Sequence, residues 1–341
     1  TELAGRPIRT IEEAQPVLSH IIKPQVWPVI YREGPGHEKH VWAIPYGTVV
    51  QTLAYRKDLF RKAGLDPDRP PKDWDELFEY AAKMTNPEEG EYGIGIAAGP
   101  QASWHFINFL WSAGGEAVVE ENGQWRAVYN TPEAVKALQF YQKLNQGEYI
   151  RNGKKTKGVA YRGTDVYTKW TLGKLGMYFQ YMNDQVMSQV NPNLIGVGPM
   201  PMGPSGKRGN EINATMQGLN ATIKDPRVRR AAWEWIKFRA GDEAKRIRTR
   251  IYMEAGYAQY LNPEYLKRYL TPEEYHRFSR QVPPGWAETL EEALNSGRPE
   301  PYGKNCEMIY TEMTPPIEQA FISDNTDPKY QALVDRAETL G

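Results

Sequence analysis

The chain has 341 residues, 40% of them apolar and 25% charged, which suits a folded chain of about two domains and excludes wholesale disorder. Lys plus Arg total 42 and Asp plus Glu total 42, so no global field favours nucleic acid, an anionic membrane or a polyanion, and a neutral ligand fits better. Cys306 is the single cysteine, which excludes an internal disulfide and a cysteine-rich zinc site.

No apolar run reaches membrane-spanning length and Thr1 does not open a signal peptide, a pattern shared by a mature exported protein, a trimmed fragment and a cytosolic protein. The opening 1–39 is polar and Pro-interrupted, with one short helix expected near 11–21. Residues 41–44 and 48–55 read as extended around a Pro45-Tyr46-Gly47 break, and a helix over 57–63 follows with Gly64 as its C-cap. Asp73 with Glu76 predicts a capping box, before a helix that sets Leu77, Ala81 and Met84 on one face and stops at Asn86-Pro87.

A strand over 92–97 is followed by Trp104, Ile107, Leu110 and Trp111 at helical spacing, halted by Gly114-Gly115. Asn122-Gly123 predicts a hairpin, and Thr131 with Pro132 starts a helix whose apolar side carries Val135 and Leu138. Residues 151–162 read as a basic loop, 175–179 and 195–197 as strands, 198–209 as a Pro/Gly-rich link and 214–223 as a long strand. Asp225-Pro226, Asp242 and Thr271-Pro272 open three helices, and 305–322 and 328–340 read as helical with a break at Pro315-Pro316. The alternation of strands and helices favours an α/β class with a mainly parallel sheet.

Four segments in order then carry a resemblance: IPYGTVVQTLAYRKDLFRKAGL followed by PPKDWDEL, SWHFINFLWSAGG, LGKLGMYF, and VGPMPMGPSGK leading into KDPRVRRAAWEWIKF. Their order and spacing resemble the bacterial extracellular solute-binding proteins of ABC importers, in particular the maltose-binding and other sugar-binding members. The resemblance implies a periplasmic-binding-protein-like fold, two α/β lobes joined by a hinge of crossing strands. It places lobe 1 at 1–52 and 217–297, lobe 2 at 53–216, and the C-terminal helices of lobe 2 and the hinge at 298–341. Residues 1–39 are too short for the opening βαβ segment of such proteins, so part of lobe 1 is expected upstream.

A polyol site combines flat apolar rings with amides and carboxylates, and the chain carries 10 Trp and 21 Tyr. Most of these rings are expected in the core. By position in the resembling segments, Trp104 is the stacking candidate with His105 beside it, whereas Trp111 belongs to the core. Tyr46 and Thr48 lie at the first crossing, Gln217 and Gly218 at the second, Tyr181 and Asn183 after LGKLGMYF, and Tyr257 in a loop that returns to the cleft.

Signatures of enzymes are thin. Gly93-Ile-Gly95 lacks the following glycine of a dinucleotide fingerprint, and His37 and His40 share a Gly/Pro loop without a third ligand. Glu88-Glu89 and Glu120-Glu121 flank turns and read as solvated, and the sequons at Asn213 and Asn220 fall in an expected crossing strand. The expectation is a monomeric, non-enzymatic solute-binding component of an ABC importer, periplasmic or lipid-anchored outside the cell membrane. A carbohydrate, in the first place an oligosaccharide, is its ligand and a membrane permease its partner, with no nucleic acid, cofactor or metal. The alternatives are the same fold binding a peptide, polyamine or phosphorylated polyol, and a carbohydrate-active hydrolase with two facing carboxylates.

Overall fold

The β-branched and aromatic run at the first crossing forms one strand, β1 (Ile44–Arg56), in the computed structural model, which describes residues 1–99, 101–181, 190–258, 261–280, 282 and 285–323. Six further strands join its ladders: β2 (Tyr92–Ala97), β3 (Ala160–Gly163), β4 (Leu175–Tyr181), β5 (Ile195–Gly198), β6 (Glu211–Gln217) and β7 (Arg298–Pro299). Contacts divide the chain into two units. Unit 1 comprises Thr1–Val50, Ile212–Val282 and Leu290–Glu300, and unit 2 comprises Gln51–Glu211, Pro283–Thr289 and the chain from Pro301. The chain passes from unit 1 to unit 2 within β1, between Val50 and Gln51.

In unit 2, β1 is antiparallel to both neighbours, with Met177 of β4 opposite Tyr55 and Ile195 of β5 opposite Arg56. Beyond β4 the sheet is parallel, β4 to β2 and β2 to β3. The sheet is therefore mixed, because an antiparallel crossing strand is inserted beside strands that helices connect. Helix α1 (Gln101–Ala113) is apolar around most of its circumference, as suits a helix enclosed by other elements. Its Phe109 meets Phe179 of β4 edge to face at 5.1 Å, and Phe106 and Phe109 both contact Tyr141 of the helix Pro132–Gln146.

In unit 1, β6 runs antiparallel to the first half of β1, with Ile212 opposite Val50 and Gln217 opposite Ile44. Helix α2 (Pro226–Ala240) buries Ile236 and Ala240 against Leu18, Ile22, Trp27 and Ile30, and α3 (Asp242–Glu254) follows it directly. A cavity of about 570 Å³ lies against this core between the chain's opening residues, Trp27, Tyr31 and Trp233.

Several local readings need correction. The Pro45-Tyr46-Gly47 break is instead a bulge in a continuous strand: Thr215 pairs with Gly47 and Met216 with Pro45, which leaves Tyr46 as the extra residue. Glu76 does not close the capping box. Asp73 accepts from its backbone N–H at 2.9 Å, but the Glu76 carboxylate accepts from the Lys72 N–H at 3.0 Å. At Thr271 and Glu274 the reciprocal box is complete. The basic segment is a hairpin, Glu148–Arg151 with Lys154–Lys157, turned by Asn152-Gly153 at positive φ, and then β3. The second crossing strand is β6, ending at Gln217 rather than running over 214–223, because Asn220 caps a turn by accepting from Thr222 N–H. Asn220 therefore lies beyond the strand that holds Asn213. The helix expected at 328–340 falls outside the described residues.

Gly93 sits inside β2, where an added Cβ would come within 2.1 Å of the Ala81 carbonyl oxygen, so this glycine serves helix-on-sheet packing. Gly93→Ala is expected to lower unfolding stability by about 2 kcal/mol through backbone displacement. Gly36→Ala, where an added Cβ meets nothing within 4 Å, should leave it unchanged. Urea titration of both variants checks this, and equal effects would remove the packing role.

Candidate functional site

The parallel strands of unit 2 end together at Ala97 of β2, Gly163 of β3 and Tyr181 of β4. Open α/β sheets bind ligands beyond such carboxyl ends, and the first turns of α1 arrive there directly after β2. Trp104 of α1 and Tyr181 of β4, both half-buried, meet edge to face with ring centroids 5.1 Å apart, and His105 lies 4.9 Å from the Trp104 ring.

A buried polar network adjoins this pair. The Tyr181 hydroxyl donates to the Glu211 carboxylate at 2.5 Å, the Glu211 N–H donates to Asn108 Oδ1 at 2.8 Å, and Asn108 Nδ2 donates to Gln51 Oε1 at 3.0 Å. Asn210 Nδ2 adds a bond to the Gln51 carbonyl at 3.1 Å. Strand pairing sets Gln51 directly opposite Tyr181, so the network spans adjoining strands at one level. Gln51, Asn108 and Glu211 are all buried, and such groups are tolerated because each holds another. The Gln51 Nε2, the Thr52 hydroxyl and both ring nitrogens of His105 have no hydrogen-bond partner among the described residues.

In unit 1, Tyr46, Thr48, Gln217 and Gly218 lie on or beside the paired strands β1 and β6. Thr48 is buried, while Tyr46 and Gln217 are half-buried and Gly218 is exposed. The Tyr46 ring carries the Arg239 guanidinium, whose Cζ stands 3.7 Å from the ring centroid. An added Cβ at Gly218 would approach the Trp42 carbonyl to 2.8 Å. Tyr257 is exposed and meets Tyr252 at 6.5 Å. Asn183 lies outside the described residues.

Trp104, His105 and Tyr181 thus form one cluster in unit 2, and Tyr46, Thr48, Gln217 and Gly218 lie along the paired strands of unit 1. Sequence reasoning missed Gln51, Asn108 and Glu211. Two of them carried a signal, since Gln51 interrupts VVQTLAY and Asn108 interrupts FINFLW. The cavity of unit 1 holds none of the candidate residues; Thr1, Glu2, Arg9, Thr10 and Glu12 line it beside apolar side chains. Among the described residues, no group of three or more His, Cys, Asp or Glu is placed to hold a metal, and no helix is long and apolar enough to cross a membrane.

The chain divides into two units, and β1 contributes residues to each. Residues 12–246 match the bacterial extracellular solute-binding protein family, and the chain belongs to that family, whose members act outside the cytoplasm. A binding protein of Brucella abortus (strain 2308) is 31% identical over 173 residues, covering 49% of this chain and 39% of its own length. The sn-glycerol-3-phosphate-binding periplasmic protein of Escherichia coli (strain K12) is 28% identical over 222 residues, covering 60% of this chain and 46% of its own length. The match therefore spans under half of each relative.

Among solved structures, a solute-binding protein of Thermotoga lettingae bound with alpha-D-tagatose superposes with TM-score 0.70 at 19% identity, covering 94% of this chain and 76% of that one. A maltose-bound protein of T. maritima gives TM-score 0.64 at 24% identity, with 96% and 78% covered. These likenesses establish the fold.

Burial pushes the His105 imidazole down from its ordinary 6.5 to about 4. Between these values the unfolded chain binds a proton at His105 that the folded chain does not, so stability falls as pH drops through that window and the contribution is complete above it. His20, lowered chiefly by burial in unit 1, acts in the same direction. His105→Gln is expected to show a shallower fall in melting temperature between pH 6.5 and about 4 than the parent chain. Parallel curves in a pH series of thermal melts would exclude this role.

Proposed function

We propose that the protein is the solute-binding component of an ABC importer and that it captures a carbohydrate or polyol without altering it. The observation that carries this reading is the unit 2 corner, where two half-buried rings adjoin the Gln51–Asn108–Glu211 network at the carboxyl ends of parallel strands. Rings suit the apolar face of a sugar, and amides with a carboxylate suit its hydroxyls. The tagatose- and maltose-bound structures, and the glycerol phosphate relative, support a polyhydroxylated ligand.

Rings and amides retain a ligand without an acid–base pair, which favours a receptor over a hydrolase. A membrane permease receives the ligand, and the protein works in the periplasm or anchored at the outer face of the cell membrane, as a monomer. A ligand that binds the closed arrangement more tightly shifts the population toward it, and such differential affinity is all that a hinge mechanism requires.

Sugars and polyols are expected to raise the melting temperature of the full-length protein, while peptides and polyamines leave it unchanged. The opposite pattern would overturn the carbohydrate reading. Trp104→Ala should weaken sugar binding by about tenfold in calorimetric titration. Trp111→Ala, at a buried core position, should lower stability while leaving affinity intact. Equal losses of affinity would remove the stacking role of Trp104.

A further inference from the structure

We infer that unit 1 carries a subsite for an oxyanion, a phosphate or carboxylate borne by the polyol, held by Arg239 and Arg248 at the Tyr46–Gly47 bulge. This deepens the proposed function and rests on it, since it assigns the ligand a charged group.

The bulge is where the argument begins. A bulge re-aims side chains at the point where the ladder slips, and here the extra residue is Tyr46, against whose ring Arg239 packs at 3.7 Å. Trp235 lies on the same guanidinium at 5.9 Å. Stacking of this kind uses the faces of the guanidinium and leaves its in-plane N–H donors for another partner.

The next residue, Gly47, leaves space where any other residue would place a side chain. A Cβ built there would stand 4.0 Å from Arg248 Nη1 and 3.9 Å from the Thr215 hydroxyl, so both groups face the bare backbone. Arg248 and Thr215 are exposed, and Arg248 donates to the Tyr252 hydroxyl at 3.3 Å, which steadies its orientation.

Several arginines on the same helices carry carboxylate partners. Arg227 pairs with Asp225, Arg230 with Glu2 and Glu234, and Arg250 with Glu274. Neither Arg239 nor Arg248 has a carboxylate partner among the described residues. Asp242, which opens α3, accepts from Arg268 and Tyr269. Two uncompensated planar forks with a hydroxyl beside them match the oxygens of a phosphate or carboxylate, which accept several N–H bonds at once. The balanced charge of the whole chain therefore conceals a local positive site.

Calorimetric titration of the full-length protein with paired ligands tests this: glycerol against sn-glycerol 3-phosphate, and glucose against glucose 6-phosphate and glucuronate, with inorganic phosphate alone as a further probe. One anionic member is expected to bind at least about tenfold more tightly than its neutral parent, and the preference should shrink as salt rises. The phosphate and glucuronate arms distinguish the two sources of the oxyanion. Arg248→Gln should cut the preference by about tenfold, and Arg239→Gln should act alike. Arg248 is exposed, so its variant keeps the test valid should loss of the Tyr46 stack disturb folding. The exposed Arg61 of unit 2 serves as control, and Arg61→Gln should change nothing. Inorganic phosphate that binds the parent chain and not Arg248→Gln would also support the subsite. Neutral parents that bind as tightly as their anionic partners, or a preference untouched by Arg248→Gln, would overturn the subsite and leave the proposed function standing. Failure of every sugar and polyol to bind would overturn both.

Discussion

Buried backbone must be hydrogen-bonded, and in β1 this requirement is met by different partners along one strand. From Ile44 to Val50 the partner is β6, and from Gln51 onward it is β4, with β5 pairing as well over Leu53–Arg56. The change of partner coincides with the boundary between the two units, so a single strand serves two ladders. A slip of one residue would turn every side chain of β1 to the opposite face.

That constraint explains why polar groups concentrate at the crossing. Gln51 is the first residue of β1 in unit 2 and stands opposite the last residue of β4, Tyr181. Glu211 immediately precedes the unit 1 part of β6. Such positions lie at the edge of the apolar layer, where a buried amide or carboxylate is sustained only by another polar group, and Asn108 from α1 supplies it. The Tyr46 bulge is the corresponding irregularity in unit 1, and it brings Arg239 rather than a ligand ring onto the tyrosine face.

Much of the fold was legible because its signals are local. Asp225, Thr131 and Thr271 each cap the helix that their sequence context announces, since the accepting oxygen and the freed N–H lie within three residues. The Asn152-Gly153 hairpin was equally announced but obscured by the surrounding lysines, whose charge suggested a loop. The end of β6 was misjudged because β-branched residues continue past Gln217, and what stops the strand is the Asn220 turn. Trp104 and Tyr181 could be singled out by position, yet nothing near either one indicated that their rings meet.

The amino-acid sequence by itself determined the α/β class and most helix starts, because helical and strand periods and caps are set by neighbours in the chain, and the order of its segments carried the resemblance to the family. Tertiary structure alone decided which polar groups share a site. Asn108 reaches Gln51 across 57 residues and Glu211 across 103, and Arg239 covers Tyr46 from another element altogether. Such contacts follow from sheet register and helix packing, and a periodicity that repeats every two or 3.6 residues holds no record of them.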